Sequence, residues 1–321
     1  DGKALEPAAL HHYDPTNPEA RAYFWNKVKE NYFDKGIKLF WLDACEPDTV
    51  GRTYDQLHFD EGPGTEVGNL YPLRHAQTFY DGMREAGTEN VINLCRAAWA
   101  GSQRYGAAVW SGDIPSTFES LQQQIRAGLN IGMSGIPWWA SDIGGYFGGD
   151  PKSDYMRELI VRWFQFGAFC PLFRLHGARY PRPNIGMSGA ENEVWSFGDT
   201  AYTIILDIIA MRYRLIPYIM EQMKAAHTKG TPVMRPLFFD FQDDPQSYAI
   251  EDQYMFGPDI LVAPVADRGA EGRRVYLPEG AQWKNAWTDE KQSGGEWIEE
   301  EAPLDTIPLF LRDGADIPIA Q

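Results

Sequence analysis

A polar residue recurs at the end of successive short apolar runs, and this regular spacing is the feature that most constrains the fold. Asp43 ends IKLFWLD, Asp113 ends GAAVWSGD, Asp142 follows PWWAS, and His176 lies in PLFRLH. The three successive intervals are 70, 29 and 34 residues. A βα unit of a (β/α)8 barrel averages roughly 31 residues. The spacing therefore predicts a parallel α/β barrel in which these side chains open onto one face.

Apolar runs alternate with helical patterns over the first two thirds of the chain, as expected for parallel strands joined by helices. The predicted strands are residues 37–43, 91–96, 106–113, 131–145 and 167–177. The predicted helices are residues 18–35, 72–87, 116–128, 153–165 and 200–228, and residues 49–72 are predicted to form a long surface loop. Five strands do not close an eight-stranded barrel. The first three βα units are therefore expected to lie upstream, in the same gene product or in a second chain.

The character of the sequence changes near residue 230. Short apolar segments with turn residues follow one another, including QYMFGPDILVAPV, RRVYLPEG and TIPLFLRDG. This pattern is typical of an all-β domain. We therefore predict the later part of a (β/α)8 TIM barrel over residues 1–229 and a β-sandwich domain over residues 230–321.

Composition excludes several classes of function. The formal net charge of −16 disfavours binding to nucleic acid and to anionic membranes. No apolar run approaches the roughly 20 residues of a membrane-spanning helix. The three cysteines lack the spacing of a zinc site, and the expectation is that the protein needs no metal or cofactor. The absence of N-x-[ST] acceptors and of paired cysteines favours a cytoplasmic location; self-association stays open.

The two aspartates that end tryptophan-containing strands indicate glycoside cleavage. Trp41 precedes Asp43, and Trp110 precedes Asp113. Cleavage of a glycosidic bond needs one carboxylate at the anomeric carbon and one carboxylic acid at the leaving oxygen. A lone aspartate after a strand is most often a turn former or a helix N-cap. The pairing with tryptophan and the unit spacing favour the catalytic interpretation here.

Three further polar residues each have a structural and a functional interpretation. Arg96 ends VINLCR, where it can be a buried ion-pair partner or a binding and charge-tuning group. Asp142 can be a turn residue before two glycines or a group that binds sugar hydroxyls. His176 can be a core histidine, but its place one unit after Asp142 favours a role in ligand binding.

Several long segments, in this order, resemble glycoside hydrolase family 31. They are WLDACEPD, RAAWAGSQRYGAAVWSGDIPSTFE, GIPWWASDIGGY, PLFRLHG, ENEVWSFG, DILVAPV and APLDTIPLFLRDGADIP. The resemblance covers nearly the whole chain. It implies a (β/α)8 barrel followed by β-sandwich domains, and cleavage of α-glycosidic bonds with retention through a covalent glycosyl-enzyme.

The resemblance also assigns expected roles to residues. It implies that Asp43 is the nucleophile and Asp113 the general acid/base. Sugar-contacting positions fall on Trp41, Arg96, Trp110, Asp142, His176, Tyr146 and Phe173.

The substrate class follows from departures within the motifs. Leu42 and Ala44-Cys45 stand where α-glucosidases often read W-I-D-M-N-E, and the form here looks more like the α-xylosidase branch. An exo-acting α-xylosidase that releases terminal xylose from oligosaccharides is therefore the preferred expectation. The alternatives are an α-glucosidase or α-transglycosylase of the same family, and an inactive carbohydrate-binding fragment.

Overall fold

The computed structural model describes residues 12–47, 53–181 and 189–319. The chain divides into two compact units, Asp1–Val109 and Trp110–Gln321. They are described in turn, with helices and strands numbered in chain order.

The first unit opens with the predicted helix. Helix α1 spans Pro18–Asn31, and the side chain of Asn17 caps it by accepting hydrogen bonds from the N–H groups of Glu19 and Ala20. A 3-10 turn, Phe33–Lys35, continues it, and Gly36 ends it with a φ of 101°.

The loop predicted at residues 49–72 contains regular structure within its described part. A small hairpin is formed by β2, His58–Phe59, and β3, Gly62–Pro63. Short helix α2, Gly64–Val67, follows directly, and α3 spans Leu70–Glu85. The prediction of a long surface loop was wrong here, because the glycines and prolines form a tight hairpin and the start of a helix. Residues 48–52 lie outside the described part.

Three parallel strands begin in this unit, and they are shorter than predicted. They are β1, Trp41–Leu42, β4, Asn93–Cys95, and β5, Ala107–Trp110. Leu42 pairs with Cys95, and Cys95 pairs with Val109. Because β1 and β4 are parallel, Asp43 and Arg96, which follow them directly, lie at one edge of the sheet.

The second unit continues the alternation of helix and strand. Helix α4 spans Phe118–Met133, strand β6 spans Trp139–Ala140, and helix α5 spans Asp154–Ala168. The strand predicted at 131–145 shrinks to β6, because residues 131–133 belong to α4. Residues 167–177, all described, form no extended strand, and the expected fifth strand reduces to hydrogen bonds such as Leu172 N–H to the Trp139 carbonyl, 3.1 Å.

The long helix predicted at residues 200–228 is two helices. Helix α6 spans Asp199–Arg214, and α7 spans Ile216–Lys229, with Leu215 between them. Pro217 lies in the first turn of α7, where its missing N–H is tolerated but would break a continuous helix.

The C-terminal part is all β, as predicted. Its strands are β7, Met234–Pro236, β8, Tyr254–Phe256, β9, Ile260–Val262, β10, Gly272–Leu277, β11, Gln282–Asn285, β12, Lys291–Ser293, β13, Glu296–Glu301, and β14, Leu309–Arg312. Six form one sheet in the order β12-β11-β14-β9-β8-β7, and β10 pairs with β13 in a second. Buried side chains from both sheets, among them Leu261, Val275 and Phe310, share one core cluster.

Two further expectations concern single features. Among the described residues, no helix is both long and apolar enough to cross a bilayer. Cys45, Cys95 and Cys170 are buried free thiols, and burial raises the pKa of each above its ordinary value.

Candidate active site

In the first unit, Asp43 follows β1 directly and faces solvent with half of its side chain. Its carboxylate is 51% exposed, and its Oδ1 accepts a hydrogen bond of 2.9 Å from the N–H of Ala44. Ala44 has a φ of 52°, a left-handed conformation that is uncommon outside glycine. The backbone therefore turns sharply after the strand and leaves the carboxylate accessible at the sheet edge.

Arg96 joins Asp43 to a second carboxylate. Its Nη1 lies 3.0 Å from Asp43 Oδ1, while its Nε and Nη2 lie 2.6 and 3.2 Å from the two oxygens of Glu46. Arg96 follows β4, and its N–H donates to the carbonyl of Leu42. The two-point contact with Glu46 fixes the plane of the guanidinium and hence the direction of the group that faces Asp43.

Trp41 and Leu42 show how β1 divides its side chains between solvent and core. Trp41 is 49% exposed, whereas its neighbour Leu42 is 4% exposed. Side chains of adjacent strand residues point to opposite faces. An exposed indole close to Asp43 offers an apolar surface for the C–H face of a sugar.

In the second unit, Asp113 lies on a loop that a glycine-rich segment holds in place. Asp113 is exposed. The next carbonyl, that of Ile114, accepts hydrogen bonds from the N–H groups of Tyr146, 2.7 Å, and Phe147, 3.0 Å. The N–H of Ser116 donates back to the carbonyl of Phe147 at 2.9 Å. These three bonds fix the backbone around Asp113.

Asp142 is fully buried and pairs with Arg174. Its Oδ1 contacts Arg174 Nη1, and its Oδ2 has no hydrogen-bond partner among the described residues. Burial raises the pKa of Asp142 to about 7; the charges of Arg174 and Arg179 oppose this rise, and the Asp113 charge adds to it. The Arg174 guanidinium also lies 5.4 Å from the ring of Trp110, which is 2% exposed.

Two of the predicted sugar contacts, Tyr146 and His176, lie together, whereas a third, Phe173, packs against a helix. The rings of Tyr146 and His176 are 5.3 Å apart, and the carbonyl of Tyr146 accepts from the N–H of Ala178. The ring of Phe173 instead packs edge-on against Phe164 of α5, 5.6 Å away. The structure thus gathers Tyr146 with His176 and gives Phe173 a packing partner on a helix.

Sequence reasoning missed Arg174. For Glu46 the sequence left two interpretations, a catalytic carboxylate in competition with Asp43 or, preferred, a loop carboxylate that orients its neighbours, and the contact with Arg96 agrees with the second. The segment FRLHG contained a usable signal, because residues two apart in an extended segment share a face and Arg174 stands two before His176. No group of three or more His, Cys, Asp or Glu side chains within the described ranges is arranged to hold a metal. The side chains present offer proton transfer, nucleophilic attack and hydrogen bonds to hydroxyls.

Comparison with known proteins gives matches over both parts of the chain. Residues 1–222 match the family model for the TIM-barrel domain of glycosyl hydrolases family 31, and residues 230–317 match the model for the family's C-terminal domain. These matches confirm the resemblance and the predicted fold class. The predicted domain boundary at residue 229 stays a prediction.

Individual relatives cover almost all of this chain, but the chain spans less than half of their length. An alpha-xylosidase from Saccharolobus solfataricus is 40% identical over 96% of this chain and 41% of its own. The crystal structure of a GH31 alpha-xylosidase from a soil metagenome, complexed with xylose, has a TM-score of 0.91 and 53% identity over 94% of this chain and 46% of its own. Alpha-glucosidase 2 from Bacillus thermoamyloliquefaciens is 35% identical over 95% of this chain and 38% of its own.

Proposed function

The chain belongs to glycoside hydrolase family 31, and on that premise we propose that it carries the catalytic residues of a retaining α-glycosidase. The observation that carries the proposal is that Asp43 and Asp113 each come shortly after a strand of the parallel set and are each exposed. Exposed carboxylates at the carboxyl ends of barrel strands are typical of catalytic groups.

In the proposed mechanism, Asp43 and Asp113 have separate roles. The Asp43 carboxylate attacks the anomeric carbon as the bond to the leaving oxygen breaks, and Asp113 gives its proton to that oxygen. Asp113 then takes a proton from water, whose oxygen displaces Asp43 from the anomeric carbon. Two displacements return the original configuration, and the mechanism requires the carboxyl groups to act about 5–5.5 Å apart.

The remaining site residues bind and orient the sugar in this proposal. Arg96 directs the Asp43 carboxylate and is itself held by Glu46. The predicted sugar contacts are Trp41, Arg96, Trp110, Asp142, Tyr146, Phe173 and His176. The contact between Phe173 and Phe164 supports a role for Phe173 in shaping the wall of the site rather than in hydrogen bonding.

We propose xylose as the sugar that is released. Two lines support it: the W-L-D-A-x-E-P form of the nucleophile segment, and the similarity to proteins that are named α-xylosidases. An α-glucosidase is the second candidate, favoured by the similarity to a named α-glucosidase. Nitrophenyl α-xyloside and nitrophenyl α-glucoside distinguish the two by the ratio of their kcat/KM values.

The proposal also covers the strands that would complete the eight-stranded barrel. We propose that further sequence, in the same gene product or in a second chain, supplies them, because an eight-stranded barrel needs more strands than the parallel set described above. The intact mass of the native material tests this directly. A mass of 36.4 kDa with no second chain, together with full activity, would contradict it. A cytoplasmic location also stays a prediction, and cell fractionation tests it.

The decisive experiment traps the intermediate in the complete enzyme. A 5-fluoro-α-xylosyl fluoride is expected to form a stable ester, and peptide mass spectrometry is expected to find it on Asp43. Asp43→Asn should abolish both labelling and turnover. Asp34→Asn is a matched control, because Asp34 is 49% exposed and pairs with Lys29 much as Asp43 pairs with Arg96. Labelling of another carboxylate would overturn the assignment.

A further inference from the structure

Arg179 is a fully buried cation, and within the described ranges its side-chain hydrogen bonds all go to neutral oxygens. Burial lowers its pKa to about 10, so that it stays charged at neutral pH. Three of its donors go to backbone and side-chain oxygens. Nη1 donates to Ser116 Oγ at 2.9 Å and to the carbonyls of Gly144, Gly145 and Gly148 at 3.1, 2.8 and 3.3 Å. Nη2 donates to the carbonyl of Ile143 at 3.3 Å, and Nε donates to Asn192 Oδ1 at 2.7 Å. Four of these acceptors belong to one segment, residues 143–148. The Arg179 charge also interacts with the buried carboxylate of Asp142, but its direct hydrogen bonds go mainly to the backbone of this one segment and organise it.

Two glycines pack so closely against the Arg179 guanidinium that no larger residue fits at their positions. A Cβ at Gly144 would lie 2.6 Å from Arg179 Nη2, and one at Gly177 would lie 2.9 Å from its Cζ. Gly144, Gly145 and Gly148 also have positive φ values of 86°, 73° and 92°, a conformation that favours glycine. The carbonyls of all three accept hydrogen bonds from Arg179. The glycine-rich run GGYFGG thus forms a ring of carbonyls around one cation.

The same segment holds the loop that carries Asp113. Tyr146 and Phe147 donate to the carbonyl of Ile114, and Ser116, which accepts from Arg179, donates to the carbonyl of Phe147. Gly145 lies so close to the other loop that a Cβ there would be 2.5 Å from the Pro115 carbonyl. A displacement of residues 143–148 therefore moves the backbone on the carboxyl side of Asp113.

We propose that Arg179 is a positioning residue for proton transfer by Asp113, an inference that rests on the proposed function. It acts through the carbonyls of residues 143–148 and through Ser116. Without the several N–H donors of the guanidinium, the Asp113 loop can shift, and the rate of proton transfer from Asp113 to the leaving oxygen falls. Attack by Asp43 depends less on Arg179, because a different arginine holds that carboxylate.

The test compares two leaving groups in the complete enzyme. A dinitrophenyl α-xyloside leaves without protonation, whereas an alkyl α-xyloside or a xylose-terminated oligosaccharide needs an acid. General acid catalysis contributes about 10²–10⁴ in rate. Arg179→Lys is expected to lower kcat/KM for the alkyl xyloside by roughly tenfold to a hundredfold more than for the dinitrophenyl xyloside. It should also weaken the fall of kcat/KM on the basic limb of the pH profile, where the general acid loses its proton.

Controls separate positioning from general stability. Arg162 is a second buried arginine bound mostly to backbone carbonyls, and Arg162→Lys is expected to lower the melting temperature without changing the ratio of the two kcat/KM values. Ser116→Ala removes one acceptor of Arg179 and should shift the ratio in the same direction by a smaller factor, which keeps the test valid if Arg179→Lys does not fold. An equal loss on both substrates, or no loss, overturns the proposal. Absence of activity in the wild-type enzyme on either substrate would instead contradict the proposed function.

Discussion

At the scale of single residues, the candidate site is held by contacts between side chains that are far apart in the chain, Arg96 with Glu46 and Arg174 with Asp142. The assignment of Asp43 and Asp113 as catalytic groups follows from their position after tryptophan-containing strands, a local signal, and stays a prediction. The contact between Arg96 and Glu46 spans 50 residues of chain, and no local pattern announces it. The spacing to His176 draws attention to Arg174 itself, but nothing local indicates its pairing with Asp142, which lies 32 residues earlier. The positions of candidate site residues can thus be predicted from local sequence patterns, whereas the side chains that bind them cannot.

Asp142 provides a prediction about the pH dependence of stability. Its pKa in the folded protein, about 7, is above that of the unfolded chain, about 4. The folded state therefore binds the proton more tightly, and the stabilisation is full below pH 4 and disappears as the pH rises to 7. Linkage sets the loss at about 4 kcal/mol at most. Asp142→Asn carries no charge and should lack this decline.

The measurement is the free energy of unfolding of the wild-type protein and of Asp142→Asn at pH 5 and pH 8. The difference between the two proteins should move against the wild type as the pH rises. Asp154→Asn controls for loss of a surface charge, since that side chain is 98% exposed. A wild-type protein that gains stability relative to Asp142→Asn over this range would show that pairing with Arg174 outweighs burial.

At the scale of elements, helices were predicted well and strands less well. The Asn17-Pro18 start and the Gly36 end of the first helical segment are encoded locally, by a side-chain cap and a left-handed glycine. Strand β1 retains two of the seven residues predicted for it, because strand length depends on a partner distant in sequence. Residues 131–133 were assigned to a strand but end helix α4; a short apolar run does not distinguish these two states.

The contact between the glycine-rich segment and the Asp113 loop leads to a prediction for this pair of loops. Gly145→Ala and Gly148→Ala both place an alanine at a positive φ, at a cost of about 1–2 kcal/mol. Only at Gly145 does the new Cβ clash with backbone, 2.5 Å from the Pro115 carbonyl; at Gly148 the nearest atom is 3.7 Å away. The clash should add about 1–3 kcal/mol of destabilisation.

Urea unfolding and kcat/KM of the two variants form a matched pair. Gly145→Ala is expected to lose more stability and more activity than Gly148→Ala. Similar losses in both variants would mean that backbone strain alone matters and that the close approach of the two loops has no role.

At the scale of the whole molecule, packing and sequence divide the chain differently. Near residue 230 the sequence changes from alternating helix and strand patterns to short apolar segments with turn residues. The matches to the two family models meet between residues 222 and 230. The compact unit Trp110–Gln321, by contrast, contains helices α4 to α7 together with the β domain. Buried contacts explain this: Tyr254 Oη donates to the carbonyl of Phe169, and Gln165 Nε2 donates to the carbonyl of Leu304. The β domain is therefore expected to depend on helix α5 for its stability.

Arg162 is the residue on which this dependence can be tested. It projects from α5, is 2% exposed, and its Nη2 donates to the carbonyls of Ala270 and Ala302, 2.9 and 2.8 Å away. Those two residues stand just before β10 and just after β13, and Gly272 of β10 pairs with Glu301 of β13, so one guanidinium holds both strands at the same end of the two-stranded sheet. Arg162→Met leaves several buried carbonyls without a donor, at a cost of about 3 kcal/mol or more. Hydrogen exchange should become faster in α5 and in β10–β13 together.

Arg126→Met is the matched control for that experiment, because Arg126 of α4 also reaches the β domain through an ion pair with Glu251. Both partners are exposed, 46% and 64%, and exposed pairs contribute about 0–1 kcal/mol. Its substitution should leave exchange in both regions nearly unchanged. If Arg162→Met accelerates exchange in β10–β13 but not in α5, the β domain unfolds independently, and the sequence boundary near residue 230 is also a boundary of cooperativity. If both regions accelerate together, α5 and the β domain unfold as one unit, because the helix that precedes the change in sequence texture supplies hydrogen bonds that the β domain requires.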